Sequence, residues 1–140
     1  MVYLDTSVVV ALLTVEPRTS EVVTWYGKLR ETPITSDWLL TEFASALSIK
    51  LRTGQINEGQ ARMVREEFEL LAGGGLRLVS VSRDAFRRAA AMVRQHDHGL
   101  RAGDSLHLAV ALELKASRMA TLDATLAANV KRLGIRLVKF

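Results

Sequence analysis

The chain has 140 residues, 49% of them hydrophobic, with a formal net charge of +4. That length and apolar content suit one folded domain, residues 1–140, and exclude a chain disordered throughout. No cysteine is present, which excludes disulfides and thiolate metal sites and favours a cytoplasmic setting. No apolar run approaches the roughly 20 residues of a membrane span, and no signal peptide is expected. The positive charge mildly favours an anionic partner such as nucleic acid or an acidic protein.

Residues 2–4, VYL, read as a short buried strand. Residues 7–13 read as a short helix and 19–31 as a longer one. The stretch PITS, 33–36, suits a second strand. A helix is predicted from Trp38 to Arg52, with Leu39, Leu40, Phe43, Leu47 and Leu51 on one stripe. Asn57 and Gln60 form a capping-box pattern, opening a helix striped by Ala61, Val64, Phe68 and Leu71 and ended by Gly73-Gly74-Gly75. LRLVSV, 76–81, is a third strand candidate, and 83–96 and 104–115 are helical patterns. SRMATL, 117–122, reads as a fourth strand, 124–133 as a helix closed by Gly134, and IRLVKF, 135–140, as a fifth strand. Strands alternate with helices and no Asn-Gly or Asp-Gly hairpin signal occurs. The pattern predicts an α/β protein, a three-layer α/β/α sandwich on a mostly parallel five-stranded sheet.

Such sheets carry their sites at the carboxyl ends of the strands. Asp5 stands directly after the first strand, followed by Thr6 and Ser7, and Asp123 stands after the fourth, in ATLDATL. Asp104, in LRAGDSLHLA, lies at another helix start, and Glu42 lies one turn into the helix after the second strand. Helix capping alone accounts for many aspartates at such junctions, and a lone Glu42 reads as a surface residue. The joint pattern is harder to explain by capping, because an apolar strand and a nearby hydroxyl accompany the acid twice. Topology then predicts that all four carboxylates converge on one edge. Two carboxylates about 4 Å apart repel by roughly 4 kcal/mol at an effective dielectric near 20. Grouped acids therefore hold protons or cations. Oxygen ligands without cysteine favour Mg²⁺ or Mn²⁺, ions suited to phosphodiester chemistry.

VYLDTSVVVALL, TEFASAL, LRAGDSLHLAVAL and ATLD together resemble the PIN-domain nucleases, most closely the VapC-type toxins of toxin–antitoxin pairs. The order and spacing match over the whole chain. The resemblance implies a metal-dependent endoribonuclease that cleaves RNA with Mg²⁺ or Mn²⁺. It also implies a homodimer and inhibition by a small VapB-like antitoxin. Asp5, Glu42, Asp104 and Asp123 match the acidic site as catalytic groups and metal ligands, and Thr6 and Thr121 match supporting hydroxyls. The segment after Asp123, ATLAANVKRL, departs from the family by lacking the basic or aromatic residues often found there.

Arg101 is read as a contact for substrate phosphate or antitoxin, or as a solvated arginine. His107, one turn after Asp104, is read as packing or hydrogen-bonding near the site, with a general base as the alternative. Asp37 is read as a helix cap, and His96 and His98 lack a third partner for a metal site. Trp25, Trp38 and Phe43 are read as core or dimer contacts. A competing reading is a PIN-like module that binds RNA or protein without cutting. A haloacid-dehalogenase-like phosphatase is disfavoured, because Ser7 stands where its second aspartate belongs.

Overall fold

The computed structural model describes residues 1–140. Five strands form one all-parallel sheet: β1 (Val2–Leu4), β2 (Ile34–Ser36), β3 (Arg77–Val79), β4 (Arg118–Ala120) and β5 (Arg136–Leu137), in the order β3-β2-β1-β4-β5. Seven α-helices connect them: α1 (Thr6–Leu13), α2 (Thr19–Gly27), α3 (Trp38–Arg52), α4 (Glu58–Leu70), α5 (Arg83–Val93), α6 (Ala102–Glu113) and α7 (Ala124–Arg132). The three-layer parallel α/β reading is therefore correct.

The pleat of β1 sorts its side chains. Val2 and Leu4 enter one core with α1, Leu39 and Phe43 of α3, and Ala120. Tyr3 points the other way, into a core with α5, α6 and Leu126 and Val130 of α7. Both cores are closed to water, which explains the continuous apolar run of β1.

β1 is flanked by β2 on one side and by β4 on the other. The chain leaves β1 in opposite directions along the sheet, so a topological switch point lies between β1 and β4. Their register pairs Leu4 with Ala120, and the Asp5 N–H donates to the Ala120 carbonyl at 3.1 Å. The two acid-bearing junctions are thereby side by side.

Several boundaries differ from the sequence expectation. α2 ends at Gly27 rather than at residue 31, in a turn whose Leu29 N–H reaches the Tyr26 carbonyl. β3, β4 and β5 are all shorter than the six residues expected of each, because only the residues in register with a neighbouring strand form ladder pairs. α5 stops at Val93, and 96–98 form a separate short turn. The capping box at Asn57 and Gln60 is present. The glycine run closes α4 through one wide turn, with the Leu76 N–H bonded to the Leu71 carbonyl. Leu40 leaves the predicted stripe of α3 and is 43% exposed. Phe43 stacks on Phe68 of α4, and Trp25 packs edge-on against Phe140. No helix is long and apolar enough to cross a membrane.

Candidate active site

Asp5, Glu42, Asp104 and Asp123 all line one cavity of about 460 Å³ at the carboxyl ends of β1 and β4, with Thr6, Ser7, Arg101 and His107 also on its wall. The convergence expected from topology is present. Each acid reaches the cavity by a different local device.

Asp5 is the N-cap of α1, and its Oδ1 accepts from the Val8 N–H at 3.3 Å and from Ser7 Oγ at 2.6 Å. Its Oδ2 accepts from Thr121 Oγ1 at 2.6 Å. The side chain is 3% exposed. Burial pushes its carboxyl above the ordinary range, against the opposing effects of the His107 charge and the hydroxyl donors. Capping is thus one role of Asp5, and burial beside other acids is unexplained by capping.

Asp123 caps α7 through the Leu126 N–H at 2.7 Å. Its own N–H donates to Thr121 Oγ1 at 3.0 Å, so one threonine ties both aspartates. Asp104 is not a cap. α6 begins two residues earlier, at Ala102, and Arg101 occupies the capping position without a side-chain bond. Asp104 therefore projects from the first turn of α6, where the helix dipole favours an anion. Burial raises its carboxyl, the Asp123 charge raises it further, and Arg101 only partly offsets both.

Arg101 spans Asp104 Oδ2 at 3.4 Å and Asp123 Oδ2 at 3.2 Å while remaining 78% exposed. It is an ion-pair partner of the site rather than a free solvated arginine.

Glu42 turns toward the protein. Its Oε2 accepts from Thr6 Oγ1 and lies 2.7 Å from His107 Nε2. Burial would raise the Glu42 carboxyl, but the His107 and Thr6 hydrogen bonds and the His107 charge outweigh it and hold it low. Both threonines thus hold carboxylates, as expected. His107 hydrogen-bonds within the site, in keeping with the reading preferred for it.

Sequence reasoning missed three contributors. Ser7 Oγ donates to Asp5 and accepts the Leu122 N–H at 2.9 Å, bridging the β1 and β4 junctions. Tyr3, whose hydroxyl lies 2.8 Å from His107 Nδ1, carried one signal: a phenol in a buried aliphatic strand needs a partner. Gly103 was the third. A Cβ there would come within 2.2 Å of Glu42 Oε1, so the glycine leaves Glu42 room to hold this position between α3 and α6. Asp37 stands at the N-cap of α3 but makes no side-chain capping bond, contrary to expectation.

The donor set suits a hard divalent cation. All four acids present oxygen, the Asp104 carboxyl is strained by like charge, and an exposed guanidinium sits between Asp104 and Asp123. No three histidine, aspartate or glutamate side chains meet as a finished coordination cluster. Arg101 draws Asp104 and Asp123 to itself, while Thr6 and His107 draw Glu42, so the acids ring the cavity without closing on one point.

The family model for the PIN domain matches residues 2–137, and the chain belongs to the PIN-domain family. Among solved structures, the fold is similar to Mycobacterium tuberculosis VapC20, a sarcin-ricin loop cleaving toxin. That match has 18% identity and a TM-score of 0.77, covering 92% of this chain and 95% of that one. FitAcB from Neisseria gonorrhoeae is similar at 19% identity and a TM-score of 0.74, over 99% of this chain and 97% of that one. VapBC2 from Rickettsia felis, solved bound to a DNA fragment from its promoter, gives 16% identity and a TM-score of 0.63, over 99% and 98% of the two chains. No curated protein matches the sequence.

Proposed function

We propose that residues 1–140 form one PIN-like nuclease domain acting as a metal-dependent endoribonuclease, the toxin of a toxin–antitoxin pair. The observation that carries this reading is the placement of four acids from four separate segments on one cavity at the sheet's switch point. The similar folds of VapC20 and of the FitAcB and VapBC2 proteins support the toxin assignment and a small VapB-like antitoxin as partner. Homodimerisation is proposed from the family resemblance, and a cytoplasmic location from the absence of cysteine.

Asp5, Asp104 and Asp123 would hold Mg²⁺ or Mn²⁺, with Glu42 as a further ligand or as the group that orients water. The ion, when bound, supplies a Lewis acid for the phosphodiester and acidifies water. The chain's own residues do the rest. Thr121 and Ser7 fix the direction of the Asp5 carboxylate, so its oxygens need not reorganise when charge arrives. Arg101, 78% exposed beside Asp104 and Asp123, would be placed to meet an RNA phosphate at the cavity mouth.

Purified protein should cleave RNA in Mg²⁺ or Mn²⁺, and Asp5→Asn should abolish cleavage without unfolding the chain. Cleavage that continues in chelator defeats the metal-dependent reading. A second reading, a PIN-like module that binds RNA or protein without cutting, is favoured by the three protein donors already on the Asp5 carboxylate, two on Oδ1 and one on Oδ2. It predicts RNA or partner binding with no metal-dependent turnover.

A further inference from the structure

Behind the acidic cavity runs a buried chain of hydrogen bonds that the acids alone do not require. Ser36 Oγ at the end of β2 bonds to the Tyr3 hydroxyl of β1 at 3.1 Å, Tyr3 bonds to His107 Nδ1 at 2.8 Å, and His107 Nε2 bonds to Glu42 Oε2 at 2.7 Å. Tyr3 is fully buried and His107 is 1% exposed. The two rings meet edge to face, with centroids 5.7 Å apart. At 2.7 Å one proton must lie between His107 Nε2 and Glu42 Oε2, because two facing lone pairs repel. The other imidazole nitrogen is engaged by the phenol, which fixes the ring's orientation. The relationship matches that of a histidine oriented by one partner to serve another.

The consequence falls on the second Glu42 oxygen. Oε2 is committed to His107 and Thr6, while Oε1 makes no bond to either and lies against Gly103, next to Asp104, with the buried Trp38 indole N–H beside it. We propose that His107, held by Tyr3 and Ser36, is a positioning residue that clamps one oxygen of Glu42 and leaves the other presented to the cation and water of the cavity. This rests on the nuclease reading and goes beyond it. His107 is buried behind Glu42, so it acts through that carboxylate and not on RNA. α6 carries both Asp104 and His107, one turn apart, so the clamp also sets the spacing between Asp104 and Glu42.

The test is a double-mutant cycle read by Mn²⁺ binding, using electron paramagnetic resonance of free Mn²⁺, beside RNA-cleavage kinetics. His107→Leu should weaken Mn²⁺ binding about tenfold and lower kcat about a hundredfold, leaving KM for RNA within twofold. His107→Gln, whose amide N–H can replace Nε2–H, should recover at least tenfold of the lost kcat. In a Glu42→Ala background, His107→Leu should change neither quantity further. Tyr3→Phe keeps the ring and should lower kcat three- to tenfold, again only while Glu42 is present. It carries the test if His107→Leu does not fold. Equal losses from His107→Leu or Tyr3→Phe in both backgrounds mean a merely structural role and overturn the proposal. Wild-type Mn²⁺ binding unaffected by either change also overturns it while sparing the nuclease reading. Wild-type protein that neither binds Mn²⁺ nor cleaves RNA overturns both.

Discussion

Gly103→Ala isolates how tightly α6 approaches α3. Gly103 is a helical residue without a positive φ, so the glycine is needed for space and not for backbone conformation. On helix propensity alone, alanine would stabilise α6 by about 1 kcal/mol. The added Cβ, however, would come within 2.2 Å of Glu42 Oε1 and 3.1 Å of Trp38 Nε1. Glu42 is the flexible partner and swings toward the cavity, breaking its bonds to Thr6 and His107. The buried His107 Nε2 then keeps only Thr6 Oγ1, 3.0 Å away, and losing a hydrogen bond to a charged group costs about 1–3 kcal/mol. The two effects sum to a stability change between neutral and about 2 kcal/mol of loss. Catalysis suffers more, since an ångström-scale misplacement costs about a hundredfold. Denaturant unfolding and RNA cleavage in Mn²⁺ on the same preparations read both quantities. A variant more stable than wild type and equally active would refute the close approach and the role given to Glu42.

Arg101→Ala should change unfolding free energy by less than about 0.5 kcal/mol, because the ion pairs are solvent-exposed at the arginine. It should tighten Mn²⁺ binding by removing a competing cation, and weaker binding on calorimetric titration would count against that picture. Asp5→Asn should gain stability relative to wild type as pH rises. Burial lifts the Asp5 carboxyl above its ordinary 3.8, so the folded chain binds the extra proton between the two values and wild type alone loses stability through that window. Metal-free denaturant melts at acidic and neutral pH check the sign, and the opposite trend contradicts it. Lys50, 10% exposed, pairs with Glu16, 33% exposed, at the end of α3. Glu16→Gln leaves the Lys50 ammonium with neutral amide acceptors, Gln55 Oε1 at 3.3 Å among them, and should cost about 1–2 kcal/mol, whereas Lys50→Met should cost under about 1 kcal/mol. Equal losses in thermal unfolding would contradict the asymmetry.

Local signals made much of the fold legible. The α3 stripe and its basic last turn mark both ends of that helix, and the reciprocal Asn57 and Gln60 bonds mark the start of α4. The acids were legible because strand-end position is a local property that topology converts into proximity. Asp104 was misplaced by two residues of helix because Arg101-Ala102-Gly103 offers no capping side chain to announce the start. β3, β4 and β5 are shorter than their apolar runs because apolar alternation does not reveal where register with a neighbouring strand ends. The Tyr3–His107 contact joins residues 104 positions apart, and no periodicity encodes such a pairing. Arg101 illustrates the same limit. Its sequence context leaves it a loop arginine, and only the packing of α7 beside α6 brings Asp123 within reach.

The most direct test is anomalous diffraction at the manganese edge from crystals soaked in Mn²⁺. A peak within coordinating distance of Asp5 and Asp104 is expected, with Arg101 displaced from Asp104. An empty cavity under saturating Mn²⁺, or a peak elsewhere on the chain, would contradict the claim that these acids form a metal-dependent nuclease site.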